Sequence, residues 1–97
     1  MAKFYLTQKA VEDLSDIWDY TIQNWSERQA EVYYLLLIDT FKELSNRPNK
    51  GRSYDVISVN VLGFRTGQHI IFYREVSDTE IEVVRILHSK MDLKNHI

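Results

Sequence analysis

The chain has 97 residues, which is room for a single domain spanning residues 1–97. It carries 12 Lys plus Arg against 14 Asp plus Glu, a formal net charge of −2, and this balance argues against a protein that coats nucleic acid, because non-specific phosphate binding requires excess positive charge. No apolar run approaches the roughly 18 residues of a membrane span. No secretory signal is visible and cysteine is absent, so we expect a cytoplasmic protein without disulfides or thiolate chemistry.

The first part of the chain predicts a short strand followed by an amphipathic helix. Phe4–Leu6 is a β-type run, and Thr7 is a good helix N-cap because its hydroxyl can accept a hydrogen bond from an otherwise unpaired backbone N–H. Apolar residues, with one threonine among them, then recur at the helical spacings of three and four. They are Ala10, Val11, Leu14, Ile17, Trp18, Thr21, Ile22 and Trp25.

A second helix is predicted to begin after Ser26. Ser26 and Gln29 have the spacing of a capping box, in which the two residues satisfy each other's backbone donors. The helix runs for about 19 residues and ends before Pro48, since the residue before a proline avoids the helical conformation. Almost no chain links the two helices, so we expect them to fold back as an antiparallel hairpin.

The second half of the chain predicts strands. The pattern becomes β-like from Val56 onward and leads through Val59 to Arg65, His69–Val76 and Glu80–Leu87 are strong strands, and turn signals separate them at Thr66-Gly67 and at residues 77–79. The predicted order is β-α-α-β-β-β, an α+β fold in which the N-terminal strand joins a C-terminal antiparallel β-meander and the antiparallel helical hairpin packs on that sheet.

The sequence contains none of the common catalytic or metal-binding motifs. It has three scattered glycines rather than a glycine-rich phosphate loop, it lacks an HExxH motif, and its three histidines do not have the spacing of metal ligands. We therefore expect neither a cofactor nor a metal ion, and no catalytic triad is indicated.

Three arginines on the predicted strands are candidate functional residues. Arg85 shares its alternation with Ile81 and Val83, so it would project from an otherwise apolar face, which is costly unless it is paired or near an opening. Both a structural ion pair and a functional role remain open for it. Arg74 lies opposite Glu82 if the hairpin has a three-residue loop, or beside Val83 if the loop has two residues. Arg65 ends the preceding strand.

His88 follows the last strand and is a further candidate. A histidine at this place could act as a general acid or base, or it could cap the strand end or face solvent.

The second helix has more apolar residues than one buried face can use. Residues 32–38 are seven consecutive apolar residues and go all round the helix, whereas a domain of this size can cover only one side. The surplus predicts a contact surface for another chain. The alternative is an unusually buried helix.

Short segments in a fixed order give the chain a recognisable pattern. They are Tyr5-Leu6-Thr7, Ala10, Asp13-Leu14, Ile17-Trp18, Tyr20, Gly67, His69–Arg74, Val84–His88 and Met91-Asp92. Together they resemble the ParE branch of the RelE/ParE toxin superfamily over nearly the whole chain, and the last segments are the most specific.

The resemblance implies the toxin of a bacterial type II toxin–antitoxin pair. Such toxins inhibit DNA gyrase and are neutralised by a ParD-type antitoxin, which lays a C-terminal segment along the toxin and connects the hetero-oligomer to DNA. On this chain, the resemblance implies antitoxin binding at the hairpin's apolar side and the sheet edge, by Trp25, Tyr33, Tyr34, Leu37, Ile38 and Phe41. It places target binding at Arg65, Arg74, Arg85, His88 and Met91.

Two alternatives remain. RelE-type relatives are ribosome-dependent messenger-RNA endoribonucleases, which would give Arg65, Arg85 and His88 catalytic roles. Met91 stands where a tyrosine is expected in such an enzyme and cannot transfer a proton, and the slightly acidic chain suits RNA poorly. A binding module that keeps the fold without toxicity is the other alternative. Val56–Asn60 departs from the family pattern, which bears on the local strand register and on the preference for a target.

Overall fold

The computed structural model describes residues 2–53 and 60–90. The helices are α1 (Gln8–Asn24) and α2 (Glu27–Asn46), followed by a 3-10 turn at Pro48–Lys50. The strands are β1 (Lys3–Leu6), β2 (Arg52–Ser53), β3 (Leu62–Thr66), β4 (His69–Ser77) and β5 (Glu80–His88). This confirms the predicted order and adds the short β2. Residues 56–59 of the second predicted strand and Met91 lie outside the described residues.

Both helices begin at the predicted caps. The Thr7 hydroxyl accepts a hydrogen bond from the backbone N–H of Ala10 at 3.1 Å, and the Ser26 hydroxyl accepts one from that of Gln29 at 3.0 Å. These side chains satisfy N–H groups that have no partner inside a helix. The α2 helix is 20 residues long and ends at Asn46, two residues before Pro48, as the sequence predicts.

The strands form one mixed sheet in the order β1-β5-β4-β3-β2. The β3, β4 and β5 strands form the predicted antiparallel meander, and β1 pairs in parallel with β5 at the sheet edge. Neither α1 nor α2, the long helices of the described residues, has the length and apolarity needed to cross a membrane.

Two register shifts in the β4–β5 hairpin decide where its charged residues lie. The turn has two residues, Asp78 and Thr79, but Val76 is bulged out, so Arg74 pairs with Glu82 rather than with Val83. The other shift leaves Val84 as the extra residue, because Tyr73 pairs with Val83 and Phe72 pairs with Arg85.

The helical hairpin of α1 and α2 buries its apolar stripe against one side of the sheet. The helices contribute Ala10, Leu37, Phe41 and Leu44 to this core, and the strands contribute Ile71, Tyr73, Ile81, Val83 and Ile86. Ile86 therefore continues the row of Ile81 and Val83, and the predicted common alternation of Arg85 with those two residues is wrong because of the bulge at Val84.

Candidate functional site

The outer side of the helical hairpin leaves large apolar side chains uncovered. Trp25 is 74% exposed at the turn between the helices, and Leu35 is 58% exposed on α2. Other large exposed apolar residues of the hairpin are Val11, Tyr20, Ile22, Val32, Tyr34 and Leu36. A concentration of this kind is typical of a protein–protein contact surface.

A shallow depression lies between the helices within this surface. Trp18 of α1 lines one wall, and Glu31, Tyr34 and Leu35 of α2 line the other. We call these four residues the outer groove. The Trp18 and Tyr34 rings meet edge to face with centroids 5.9 Å apart and an interplanar angle of 87°, a favourable arrangement for an aromatic pair. The outer groove therefore combines an aromatic pair with one carboxylate.

The structure divides the residues predicted to bind an antitoxin. Trp25 and Tyr34 are exposed, in keeping with a contact role, whereas Leu37 and Phe41 are 0% exposed and belong to the core. The prediction for Leu37 and Phe41 is corrected, because they lie on the sheet-facing side of α2. Ile38 is partly buried against the same core.

Trp18 and Leu35 line the outer groove but were not among the predicted contact residues. The sequence contained a signal for each of them, since Leu35 lies inside the seven-residue apolar run of α2 and Trp18 belongs to the apolar series of α1.

Arg85 has a carboxylate partner on α1. Its Nε and Nη2 atoms donate to the two oxygens of Asp13 at 2.8 and 2.9 Å, and the Asp13 carboxylate also accepts from the backbone N–H of Ile86 at 3.0 Å. Hydrogen bonding to Asp13 raises the pKa of Arg85 further above its ordinary value. This is the structural pair that the sequence analysis left open.

The position of Asp13 follows from the sheet. The β5 strand extends beyond its partner β1, and Thr7 continues the pairing by donating its N–H to the Val83 carbonyl and its hydroxyl to the Val84 carbonyl. Six residues after Thr7, Asp13 supplies the acceptor for the backbone N–H of Ile86. Where no strand covers the edge of β5, Thr7 and Asp13 therefore supply the hydrogen-bond partners for its backbone groups.

The other strand arginines are more exposed. Arg74 lies 3.8 Å from Glu82, and both side chains are about two-fifths exposed, so this pair is worth little. Arg65 is exposed on β3 and is separated from Arg85 by the whole width of β4.

Two histidines and a tyrosine meet at the end of the sheet under the hairpin. His69 and His88 pair across β4 and β5 with ring centroids 5.4 Å apart. The Tyr33 oxygen lies 2.6 Å from His69 Nδ1 and accepts from the backbone N–H of Gln68 at 2.9 Å. A phenol oxygen has one proton and two lone pairs, so the tautomer of His69 decides whether Tyr33 or the imidazole donates this hydrogen bond.

The His69 imidazole is held neutral by its surroundings. Burial, followed by the nearby His88, lowers the pKa of His69 from 6.5 to about 4, although Asp13 acts in the opposite direction. Burial also raises the pKa of Tyr33 above its ordinary value. His88 uses its Nδ1 to accept from the backbone N–H of Lys90 at 3.2 Å. The cluster of Tyr33, His69 and His88 thus positions the helix on the sheet, and Tyr33 is only partly available as a contact residue.

Within residues 2–53 and 60–90, no three histidine or acidic side chains come together in a way that could hold a metal ion.

Comparisons with known proteins give a consistent result over the whole chain. Residues 4–93 match the family described as the ParE toxin of the type II toxin–antitoxin system parDE. Toxin ParE1 of Mycobacterium tuberculosis is 32% identical over 96 residues, which are 99% of this chain and 98% of the relative. Toxin ParE1 of Caulobacter vibrioides is 30% identical over 97 residues, which are 100% of this chain and 99% of the relative.

Solved structures share the fold. The chromosomal ParDE toxin–antitoxin system from P. aeruginosa matches with a TM-score of 0.73 and 22% identity, covering 91% of this chain and 96% of that one. The RelBE2 toxin–antitoxin complex from Mycobacterium tuberculosis matches with a TM-score of 0.62 and 19% identity, covering 90% of this chain and 96% of that one.

Proposed function

The chain belongs to the ParE toxin family of type II toxin–antitoxin systems, and we propose that it arrests bacterial growth by inhibiting DNA gyrase until a ParD-like antitoxin neutralises it. The observation that carries this proposal is the family match over residues 4–93, joined to an uncovered apolar surface on the hairpin. An exposed apolar surface of that kind is typical of a protein that binds a partner protein.

Neutralisation is proposed to occur at the hairpin. An amphipathic antitoxin segment would lie on the exposed apolar side chains, with Trp25 and Tyr34 of the predicted set joined by Trp18 and Leu35, and would add a strand at a sheet edge. The relatives of known structure are described as a ParDE system and a RelBE2 complex, which supports a hetero-oligomer. Contact with DNA would then be made only through the antitoxin.

Target binding is proposed to involve the sheet. Arg65 and Arg74 are the more exposed cations of the predicted set, and their side chains are available to a partner. Arg85 and His88 remain proposed target contacts, but Asp13 and the backbone of Lys90 already engage atoms of both. Met91 stays a sequence prediction.

A supercoiling assay tests the proposal. Purified chain added to DNA gyrase and relaxed plasmid should slow supercoiling or trap cleaved DNA, and Arg65→Ala should weaken this effect while leaving the fold intact. Full supercoiling in the presence of a stoichiometric excess of chain would contradict gyrase inhibition.

The messenger-RNA endoribonuclease alternative has its own assay. Added to a translating extract, a ribonuclease would cleave messenger RNA, and His88→Ala would abolish the cleavage. We expect intact messenger RNA under conditions in which gyrase is inhibited.

A further inference from the structure

Acids outnumber bases in the stretch of the two helices that contains the outer groove, although Arg28 lies on the same side of α2 as Glu31 and Leu35. Between Leu14 and Ile38 the two helices carry four acids, Asp16, Asp19, Glu27 and Glu31, and a single base, Arg28. All five side chains are exposed, and none of the four acids takes part in an ion pair among the described residues. This part of the surface therefore has a negative potential, although the net charge of the chain is only −2.

Glu31 lies at the apolar side chains that a partner would cover, and the helical spacing places Asp19 and Glu27 next to them. Glu31 itself lines the outer groove, and Glu27 precedes it by four residues, so both project from the same side of α2. On α1, Asp19 directly follows Trp18, and Ile22 lies one turn beyond Trp18. A helix seated on Trp18 and Leu35 would bring its flanking side chains to these carboxylates.

This arrangement selects among the possible occupants. In a symmetric pairing of two copies through this face, the same acids would meet each other, and like charges across an interface are costly. A nucleic acid would be repelled because its phosphates carry the same sign. A positively charged segment would instead be attracted and oriented, and its apolar side would cover Trp18, Tyr34 and Leu35.

We infer that the outer groove binds a cationic amphipathic helix, with apolar anchors between Trp18 and Leu35 and with Lys or Arg residues against Asp19, Glu27 and Glu31. The inference rests on the proposed neutralisation by an antitoxin and adds the chemical class of the neutralising segment. That segment carries basic residues on both sides of its apolar stripe.

A pair of synthetic peptides tests the charge requirement directly. Both peptides are helical and share the same leucine and phenylalanine positions, but one carries lysines and the other glutamates beside the apolar stripe. Isothermal titration with the full chain should show binding of the lysine peptide that weakens as salt is added, and at least tenfold weaker binding of the glutamate peptide. Equal binding of the two peptides would overturn the inference.

Charge-reversed variants locate the site. In the double variant Asp19→Lys with Glu31→Lys, the lysine peptide should bind about tenfold more weakly. The matched control is Glu75→Lys with Asp78→Lys, which changes the net charge equally at exposed positions of the β4–β5 hairpin and should bind as the unmodified chain does. Circular dichroism and thermal unfolding confirm that both variants are folded. The same loss of affinity for the lysine peptide in both variants would overturn the inference, because the peptide would then respond to the net charge of the chain and not to the groove.

Co-expression with the ParD-like antitoxin that the proposed function requires separates this inference from that function. Co-expression should restore growth to cells making the unmodified chain or the control variant but not to cells making the Asp19→Lys, Glu31→Lys variant. Equal rescue of all three contradicts the acidic groove and leaves the toxin–antitoxin proposal standing. An unmodified chain that is not toxic contradicts the proposed function, and the peptide comparison still decides the inference.

Discussion

Asp13 satisfies two groups of β5 at once, the Arg85 guanidinium and the backbone N–H of Ile86. The ion pair is mostly shielded from water, with side-chain exposures of 18% for Arg85 and 13% for Asp13. A charge-assisted, two-pronged contact in such a place is stronger than an exposed ion pair.

We expect Asp13→Ala to lower the free energy of unfolding by about 2–3 kcal/mol, because it removes the acceptor of both a cation and a strand N–H. Urea denaturation measures the change. Asp16→Ala is the control, since Asp16 is exposed on the same helix and should change stability by about 0.5 kcal/mol or less. Equal effects of the two substitutions would show that the Asp13 contacts contribute nothing.

His69 makes stability depend on pH. Its pKa is about 4 in the folded protein against about 6.5 in an unfolded chain, so between these values the unfolded chain binds a proton that the folded chain does not. The contribution of His69 to the free energy of unfolding is therefore fully present above about pH 6.5 and is lost as the pH is lowered towards 4. The side chain is partly open to solvent, so we expect a loss of about 1–2 kcal/mol.

Two measurements check this expectation. An NMR titration should give a pKa for His69 well below 6.5, and a normal value would contradict the account. Unfolding followed from pH 7 to pH 5 should depend less on pH in His69→Gln, whose side-chain amide can still form a hydrogen bond with the Tyr33 hydroxyl.

At the scale of the elements, the β3–β4 turn fits closely under α2. Gly67 has a positive φ of 55°, and a Cβ there would lie 2.6 Å from the Tyr33 ring and hydroxyl. Two separate constraints, the backbone conformation and the space beside Tyr33, therefore require glycine at this position.

We expect Gly67→Ala to cost about 2 kcal/mol, of which the left-handed backbone accounts for about 1 kcal/mol. Combining it with Tyr33→Leu should recover part of the loss, because the smaller side chain no longer meets the new Cβ. Urea denaturation of the two single variants and the double variant measures this coupling. If the changes in the free energy of unfolding of the two single variants simply added up in the double variant, the Tyr33 ring and the Gly67 turn would be independent.

Local signals in the sequence were sufficient to predict most elements but not their exact alignment. Thr7 and Ser26 act through N–H groups three residues away, so both caps were visible in the chain itself. The bulges at Val76 and Val84 depend on pairing between strands, which a local pattern does not show. Because of the bulge at Val76, Arg74 pairs with Glu82 although the turn has two residues, and the bulge at Val84 changes the alternation at Arg85. The partnership of Asp13 with Arg85 joins residues 72 positions apart, which no local pattern reveals.

At the scale of the whole molecule, the hairpin presents a buried and an uncovered side. The seven-residue apolar run of α2 hides this division in the sequence, because every position is apolar whichever way it faces. That is why Leu37, which is fully buried, was assigned to the contact surface, whereas the exposed Leu35 was not. Phe41 lies beyond the run, three residues after Ile38, and is also fully buried.

Substitutions on the two sides of α2 should behave oppositely. Leu37→Ala empties a fully buried position and should cost about 2–5 kcal/mol, enough to unfold much of so small a domain. Leu35→Ala should cost about 0.5 kcal/mol or less and should weaken antitoxin binding instead. Thermal unfolding and antitoxin titration measure the two effects, and a large loss of stability in Leu35→Ala would contradict the assignment of the outer groove to the surface.

The central claim is that the free chain is a toxin acting on DNA gyrase. The most direct measurement is expression of the chain alone in bacteria while DNA synthesis and protein synthesis are followed by labelled precursors. The account predicts that DNA synthesis stops first, as growth stops. Unchanged growth, or an earlier arrest of protein synthesis, would contradict it.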